Sequence, residues 1–262
     1  MAQNQTQIDA AASDAVVRSL LPGGHLYCIT LRISRLWRLL IVAHQTVVKR
    51  PPEDRPAAKG TRRPLVPPNP TLPKLQDAAR DCRACDLWRN ATQTVFGAGP
   101  PRAKIMLIGE QPGNDEDLDG RPFVGPAGKL LDRALIEAGV DRTEVYVTNA
   151  VKHFKWEPRG KRRIHKKPNS TEIAACRPWL EAEIAVVRPQ VIICMGATAA
   201  QSLLGRDFRV TKHRGEFVDS RLAPAVAATI HPSAILRAPD EETRRVEFAK
   251  FVADLKKASQ RH

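Results

Sequence analysis

The sequence has few acidic residues and lacks a long uninterrupted hydrophobic run. Its 262 residues include 28 Asp and Glu but 42 Lys and Arg, which gives a formal net charge of +14 and a pI near 10.0. The apolar stretch Leu26–Ala43 is interrupted by Arg32, Arg35 and Arg38, so we do not expect it to span a membrane, and no export signal is recognisable. The charge favours a polyanionic partner, with nucleic acid ahead of an anionic membrane surface.

Cysteines are also scarce, and their number and spacing exclude a secreted disulfide framework. Five are present: Cys28, Cys82, Cys85, Cys176 and Cys194. An odd count without secretory spacing predicts a reduced, cytoplasmic protein in which the Cys-x-x-Cys pair at positions 82 and 85 binds a metal. The chain has no internal repeat.

Residues 1–70 are predicted to form an N-terminal extension, separate from a domain at residues 71–262. Residues His25–Val48 are typical of a basic amphipathic helix or strand, and Pro51–Pro73 holds eight prolines among charged residues. The second segment predicts an extended linker, because it cannot build a core. Two alternatives remain for the extension: an arm that binds nucleic acid or membrane, or a dispensable or mis-started N-terminus.

Beyond Leu72, short apolar runs alternate with helical patterns. The predicted strands are Lys104–Gly109, Val145–Asn149, Val191–Met195 and Ala225–Ile230. The predicted helices are Gly128–Ala138, Thr171–Val187 capped by Asn169 or Ser170, Ala197–Leu204 and Glu241–Lys257. The segment at residues 115–128 is predicted to be a long loop. This order indicates an α/β fold, a three-layer sandwich with a central, mainly parallel sheet flanked by helices.

Polar motifs lie just past the predicted strands, where α/β sheets usually place their ligands. The motifs are GEQPG at 109–113, GRPFVGPAG at 120–128, VTNAVK at 147–152 and HPS at 231–233. The stretch Lys152–Lys167 adds eight Lys and Arg and one acid, Glu157, with aromatic residues between them. That composition suits a phosphate backbone, and a solvated basic loop is the alternative.

Together the four motifs resemble the uracil-DNA glycosylase superfamily, in particular its family 4 iron–sulfur branch, over about residues 75–258. Within that branch, Gln111 and the inserted KRRIH at Lys161–His165 resemble the UdgX subgroup, which becomes covalently attached to uracil-containing DNA. The resemblance implies a monomer that binds uracil-containing DNA, excises the uracil and forms an irreversible adduct between His165 and the deoxyribose C1′.

The resemblance also assigns a substrate-binding set. It implies that Asn149 reads the edge of a flipped-out uracil and that Phe123 stacks on its ring. An amide suits uracil because its N–H donates to O4 and its carbonyl accepts from N3–H, whereas cytosine presents the opposite pattern. The remaining members of the set are Gly109, Arg163 and Ser233.

Four residues are implied to be catalytic by the same resemblance. His231 would stabilise the uracil anion, and Glu110 the electron-poor sugar or a nucleophile. Gln111 stands where relatives usually carry a small residue, and its amide would hinder or reorient the hydrolytic water. His165 would then attack C1′, kept neutral by positive charge from its neighbours Arg162, Arg163, Lys166 and Lys167.

The metal ligands implied by the resemblance are Cys82, Cys85, His153 and Cys176. In family 4 the third position is a cysteine, and here it is His153; imidazole can replace thiolate on an iron–sulfur cluster. We therefore predict a [4Fe–4S] cluster of structural rather than redox function, with zinc as the alternative. Cys194 is predicted to be a core residue, and Cys28 lies in the extension.

Two rival functions remain at this point. The first is a multi-turnover family 4 uracil-DNA glycosylase in which water completes the reaction and His165 only contacts DNA. The second belongs to another class, a non-catalytic nucleic-acid-binding iron–sulfur protein. Complete strand-end motifs argue against the second, although a fold alone never excludes it.

Overall fold

The structure is a computed structural model, and it describes residues 16–20, 26–30 and 65–261. The chain divides into two units, Met1–Gly60 and Thr61–His262. In the first unit, β1 (Val16–Leu20) pairs antiparallel with β2 (Leu26–Thr30), so part of the predicted amphipathic segment is a strand. The predicted linker lies outside the described residues up to position 64, and its last two residues already belong to a helix. The boundary at residue 70 stays a prediction.

The second unit alternates strands and helices. Its strands are β3 (Ile105–Gly109), β4 (Val145–Asn149), β5 (Trp156–Arg159), β6 (Arg162–His165), β7 (Val191–Met195), β8 (Phe217–Val218) and β9 (Ala225–Thr229). Its helices are α1 (Leu72–Arg80), α2 (Asn114–Asp119), α3 (Pro126–Ala138), α4 (Ser170–Val187), α5 (Ala197–Leu204), α6 (Val210–His213), α7 (Pro232–Leu236) and α8 (Glu241–Ser259). No helix among the described residues is both long enough and apolar enough to cross a membrane.

The central sheet has five strands in the order β4-β3-β7-β9-β8. The first four are parallel, and β8 pairs antiparallel with β9 at the edge. Side chains alternate between two cores: Ile105 and Leu107 pack with α3 and α8, while Met106 and Ile108 pack with α4 and α5. The sheet is therefore covered by helices on both faces, and the predicted three-layer α/β sandwich is confirmed.

Local sequence explains where the main helices begin and end. Helix α4 starts with a capping box, in which Asn169 and Glu172 each accept a hydrogen bond from the other's main-chain N–H. Helix α3 has Pro126 in its first turn and ends at Gly139, whose φ of 73° is the left-handed conformation that glycine tolerates. These signals explain why the predicted bounds of both helices are nearly correct.

Three parts of the unit differ from the prediction. The predicted loop at residues 115–128 contains α2, a short helix with three acidic residues in its first turn. The basic stretch is not simply a loop, because β5 and β6 form an antiparallel hairpin with Gly160 at its turn. The short helices α6 and α7 and the two-residue strand β8 were not predicted. Each of these elements is too short for periodicity to reveal it.

Candidate functional site

A polar pocket lies where the carboxyl ends of the parallel strands meet. Gly109 ends β3, and a Cβ placed there would lie 2.4 Å from Asn149 Oδ1 and 2.7 Å from Phe123 Cζ. The same position is 3.4 Å from His231 Nε2. A side chain at 109 would collide with at least two of these groups, so only glycine there lets the three side chains converge.

Asn149 is the buried polar group of this pocket. Its side chain ends β4 beside Gly109, and the residue is only 3 % exposed. Within residues 65–261 it forms hydrogen bonds through its main chain only. The carboxamide thus has no hydrogen-bond partner among the described residues, so both its N–H donors and its oxygen are available to a ligand.

Phe123 is held in an uncommon backbone conformation. Its φ is 58°, a value that non-glycine residues adopt at a cost of about 1 kcal/mol or more. Gly128 permits this, because a Cβ at that position would lie 1.8 Å from the Phe123 carbonyl oxygen. The ring lies 6.1 Å from the His231 ring, at an interplanar angle of 30°. The strain therefore places an aromatic ring against the pocket.

His231 is neutral and has a fixed tautomer. Its Nδ1 accepts hydrogen bonds from the Ser233 main-chain N–H at 3.2 Å and from the Ser233 hydroxyl at 2.8 Å. Burial, assisted by Arg237 and His165, lowers the pKa of His231 to about 4. Because Nδ1 accepts, the proton is on Nε2, the nitrogen that points into the pocket.

Glu110 links the pocket to the hairpin. One carboxylate oxygen accepts a short hydrogen bond from the Thr198 hydroxyl at the start of α5. The other lies 3.6 Å from His165 Nε2 on β6. The structure thus brings the predicted pair Glu110 and His165 together, 55 residues apart in sequence.

The His165 side chain is about half exposed, and its pKa is lowered. Desolvation is the main cause, Arg237 acts in the same direction, and Glu110 opposes both. This differs from the predicted cause, the basic residues that flank it in sequence, two of which are paired with carboxylates. The imidazole is neutral at pH 7, as predicted, but the cause is burial and the nearby Arg237 rather than its neighbours in sequence.

The Gln111 amide is buried and bonded to the main chain, so it is not free to meet a hydrolytic water as predicted. The residue is 6 % exposed, and its amide N–H groups donate to the main-chain oxygens of Lys155 and Lys166, each at 3.1 Å. Its amide oxygen accepts from the Lys155 N–H at 3.2 Å. Both ends of the hairpin are therefore fastened to the GEQPG turn.

Arg163 is used to anchor the hairpin to α2. Its guanidinium donates to the fully buried carboxylate of Asp117 at 2.6 Å and to Asn114 at 2.9 Å. It also lies 5.5 Å from the centroids of the Phe154 and Trp156 rings. These contacts occupy most of its donors, so the predicted substrate contact of Arg163 competes with a structural role.

The basic stretch separates into two groups. Four of its cations pair with carboxylates of the fold: Lys152, Lys155, Arg163 and Lys166. The others are exposed and form no salt bridge within residues 65–261: Arg159, Lys161, Arg162 and Lys167. Half of the predicted phosphate-binding charge is therefore available on the surface.

Three cysteines of the predicted metal site belong to one hydrophobic cluster, built from α1, α4 and the segments that follow α1 and β4. Cys82 and Cys176 are buried there, and Cys85 packs against them. Trp179 Nε1 donates to Cys82 Sγ and the Lys152 main-chain N–H donates to Cys176 Sγ, both at 3.2 Å. Cys194 is fully buried in the core of β7, as predicted.

His153, the predicted fourth ligand, is 4 % exposed and lies two residues after Val151, a member of this cluster. Its Nε2 lies 2.9 Å from the Thr94 hydroxyl, and burial lowers its pKa. Among the described residues, no three His, Cys, Asp or Glu side chains meet closely enough to hold a single metal ion. A neutral imidazole and three thiols are available, without converging on one point.

Two further residues of the site were not predicted. Thr198 orients Glu110, and it could have been found because it follows the carboxyl end of β7, as the other motifs follow their strands. Arg237 influences both His165 and His231 from the end of α7. No sequence pattern marks Arg237, since its effect depends on the distance to two residues from other elements.

Comparison with known proteins agrees with this geometry. The family described as the uracil DNA glycosylase superfamily matches residues 96–256. The type-4 uracil-DNA glycosylase of Thermotoga maritima is 38% identical over 185 residues, covering 70% of this chain and 91% of that protein. Those of Sulfurisphaera tokodaii and Archaeoglobus fulgidus are 35% and 36% identical, covering 71% and 69% of this chain and 84% and 92% of their own lengths. The chain therefore belongs to the uracil-DNA glycosylase superfamily.

Proposed function

We propose that this protein excises uracil from DNA and then captures the exposed sugar through His165. The observation that carries the proposal is the unpartnered carboxamide of Asn149, a residue only 3 % exposed, which faces Phe123 and the Nε2–H of His231 above Gly109. Family membership and type-4 relatives support the excision step. The capture step is supported by the position and neutrality of His165.

Base recognition follows from the hydrogen-bonding pattern of the pocket. Uracil offers O4 as an acceptor and N3–H as a donor, which match the two ends of the Asn149 carboxamide. Cytosine presents the reverse pattern and would leave buried polar groups unpaired. The Phe123 ring covers the flipped base, and its strained backbone keeps it in place before the base arrives.

Cleavage of the N1–C1′ bond leaves negative charge on uracil and a deficit of electrons on C1′. The Nε2–H of His231 is aimed at the base and can donate to O2 as the charge develops. His231 acts as a neutral donor, because its pKa is lowered to about 4. The Glu110 carboxylate, held by Thr198, lies on the sugar side and stabilises the electron-poor centre.

Capture replaces water by a side chain of the protein. The bonding pair of N1–C1′ leaves with uracil, and a lone pair of the neutral His165 ring forms the new N–C1′ bond. The imidazolium that results passes its remaining proton to uracil or solvent. Because no water enters, the DNA stays attached and each protein molecule acts once.

The second candidate is a multi-turnover glycosylase that uses water. It is favoured by the three relatives named above, which are all type-4 uracil-DNA glycosylases. In this case Glu110 would orient the water, and His165, 3.6 Å away, would contact DNA.

We further propose that a [4Fe–4S] cluster is held by Cys82, Cys85, Cys176 and His153. Burial raises the pKa of the Cys176 thiol to about 12, so only a bound cation makes it a thiolate at neutral pH. N–H donors to two of the sulfurs are typical of cluster ligands. In a [4Fe–4S] cluster each protein ligand binds a different iron, whereas a zinc ion needs all four ligands at one point. The thiols here do not meet at one point, so they suit a cluster better than a zinc ion. The cluster would join the segment after α1, the segment before β5 and helix α4.

The test is a denaturing gel. Purified protein is mixed with a labelled oligonucleotide that contains one uracil, boiled in SDS and compared with a thymine oligonucleotide. We expect a uracil-dependent band at the size of protein plus DNA. His165→Ser should abolish the band and release uracil slowly through water, and His213→Ser, at an exposed histidine paired with Glu216, should retain it.

Each other outcome selects a rival. Free DNA that becomes alkali-cleavable, with many uracils released per protein, would establish the multi-turnover glycosylase. An unchanged adduct in His165→Ser would contradict the nucleophile. Intact free DNA would favour a non-catalytic binding protein.

A further inference from the structure

Behind the base pocket lies a buried ion pair that the proposed chemistry does not use. The side chains of Lys152 and Glu183 are 1% and 0% exposed, and the ammonium donates a short hydrogen bond to the carboxylate. Replacing such a pair by apolar residues is often neutral or stabilising, so stability alone does not explain it. Lys152 also cannot reach DNA, which excludes the phosphate contact that its sequence context predicts.

The ammonium of Lys152 has three protons, and each has a defined acceptor. Besides Glu183, it donates to the Thr148 hydroxyl at 2.6 Å and to the main-chain oxygen of Asn149 at 2.8 Å. An ammonium has no further donors, so its orientation is fully determined. The residue that faces the base is thus held from behind by Lys152.

Glu183 in turn is fixed by other elements. One of its oxygens accepts from the Tyr146 hydroxyl at 2.8 Å and from the Gly97 N–H at 3.0 Å. Thr148 donates to the same carboxylate at 3.0 Å. The carboxylate therefore ties helix α4 to strand β4 and to the segment before β3, which leaves Lys152 little freedom.

The Asn149 carbonyl lies where the main chain leaves the central sheet. Asn149 ends β4, and beyond it the chain leaves the sheet through the hydrogen bonds Ala150 N–H to Gly109 O and Val151 N–H to Glu110 O. Holding the Asn149 oxygen fixes the peptide plane that follows its Cα. Together with the pairing of β4 to β3, that plane fixes the Cα of Asn149 and hence the direction in which its side chain leaves the main chain.

We propose that Lys152 is a positioning residue for base recognition, which holds the Asn149 carboxamide in register with the uracil edge. The inference rests on the proposed uracil excision. It names a residue outside the pocket that determines the rate of that excision. Loss of this contact lets the amide shift, and a displacement of about 1 Å can reduce a rate on the order of 100-fold. DNA affinity should not change, since exposed cations make the phosphate contacts.

The experiment uses the full chain and removes both charges together, as Lys152→Met with Glu183→Gln, so that no lone charge stays buried. Uracil release is measured with protein in excess over a single-uracil oligonucleotide, which detects excision whether water or His165 completes the reaction. We expect the maximal rate to fall by about 10- to 100-fold. The protein concentration at half-saturation should stay within about twofold of wild type, because the phosphate contacts are unchanged.

The matched control is Tyr146→Phe, which removes a buried hydrogen bond to the same carboxylate but none of the three acceptors of the Lys152 ammonium. It should lower the melting temperature and should lower the maximal rate by much less than the double variant does. Iron content is measured in both variants, since the Lys152 main chain contacts Cys176. Equal iron with unequal rates would support positioning.

Three results would overturn the inference. The double variant could keep the wild-type maximal rate, or lose it in the same proportion as Tyr146→Phe. If the double variant does not fold, Thr148→Val removes one acceptor of the same ammonium, and an unchanged rate in that variant would count against the inference. A wild type that releases no uracil would instead overturn the proposed function itself.

Discussion

At the scale of single residues, two histidines of the site are neutral for the same reason and suited to different tasks. His231 has its Nδ1 occupied by Ser233, so it presents an N–H to the base. His165 lies beside Glu110 and has a lone pair available for C1′. Desolvation lowers the pKa of both rings, and Arg237 adds to the effect.

The lowered pKa values predict the pH dependence of adduct formation. Because the pKa of His165 is lowered, the rate should still be above half its maximum at pH 6.5, the ordinary histidine pKa, and should reach half only at a lower pH as His165 is protonated. Single-turnover rates from pH 8 to 5 check this. A half-maximal rate at or above pH 6.5 would contradict a lowered pKa.

Unfolding must be measured over the same range, because the fold itself responds to acid. The pKa of His231 is about 4 in the fold and near 6.5 in the unfolded chain. The unfolded state therefore binds the proton first, and the stability due to neutral His231 is complete above pH 6.5 and lost as the pH falls toward 4.

At the scale of elements, the β5–β6 hairpin depends on contacts that come from outside it. A two-stranded hairpin is only marginally stable alone. Gln111 fastens its ends through Lys155 and Lys166, and Arg163 fastens its second strand to Asp117 of α2. The geometry at His165 is thus set by the GEQPG turn and α2.

Removal of the Gln111 amide should therefore slow capture more than excision. In Gln111→Ala we expect the adduct to form about 10-fold more slowly, since the misplaced hairpin moves His165, while uracil release changes less. The ratio of abasic DNA to adduct should rise. Both products are read from one gel with and without alkali.

The control for that change is Gln201→Ala. Its amide also donates to a main-chain oxygen, that of Phe208, but far along the chain from the hairpin. This variant should keep the wild-type ratio. A ratio unchanged in Gln111→Ala as well would show that the amide does not position His165.

At the scale of the whole unit, two proposed ligands enclose the hairpin in sequence. His153 precedes β5 and Cys176 follows β6 in α4, so a cluster would anchor both ends of the chain segment that carries His165. Cys82 and Cys85 add the segment after α1. A metal there would join three distant parts of the chain.

Loss of a ligand should then affect iron content and folding together. Cys82→Ala should lower bound iron, and it should reduce the free energy of unfolding by about 4 kcal/mol or more, because a structural metal is lost. Cys194→Ala, at a fully buried cysteine in β7, should destabilise the core but keep the iron. Iron analysis and thermal unfolding measure both effects, and full iron in Cys82→Ala would refute the ligand set.

The sequence alone determined the sheet, the main helices and the place of the site. Buried parallel strands are continuous apolar runs, so β4 and β7 could be bounded to the residue. Helix caps such as Asn169 are local signals as well. Because parallel strands end at one edge, motifs that follow them were expected to meet there, as Gly109, Asn149 and His231 do.

Only the tertiary structure decided which partner each charged or polar side chain has. Gln111 bonds residues 44 and 55 positions away, and Lys152 pairs with Glu183 across 31 positions. In sequence, Lys152 and Arg163 are indistinguishable from the exposed cations around them. Hydrogen bonds and desolvation depend on distances in space, and a local pattern contains none, so the anchored hairpin, the buried ion pair and the cause of the neutral His165 emerge only from the fold.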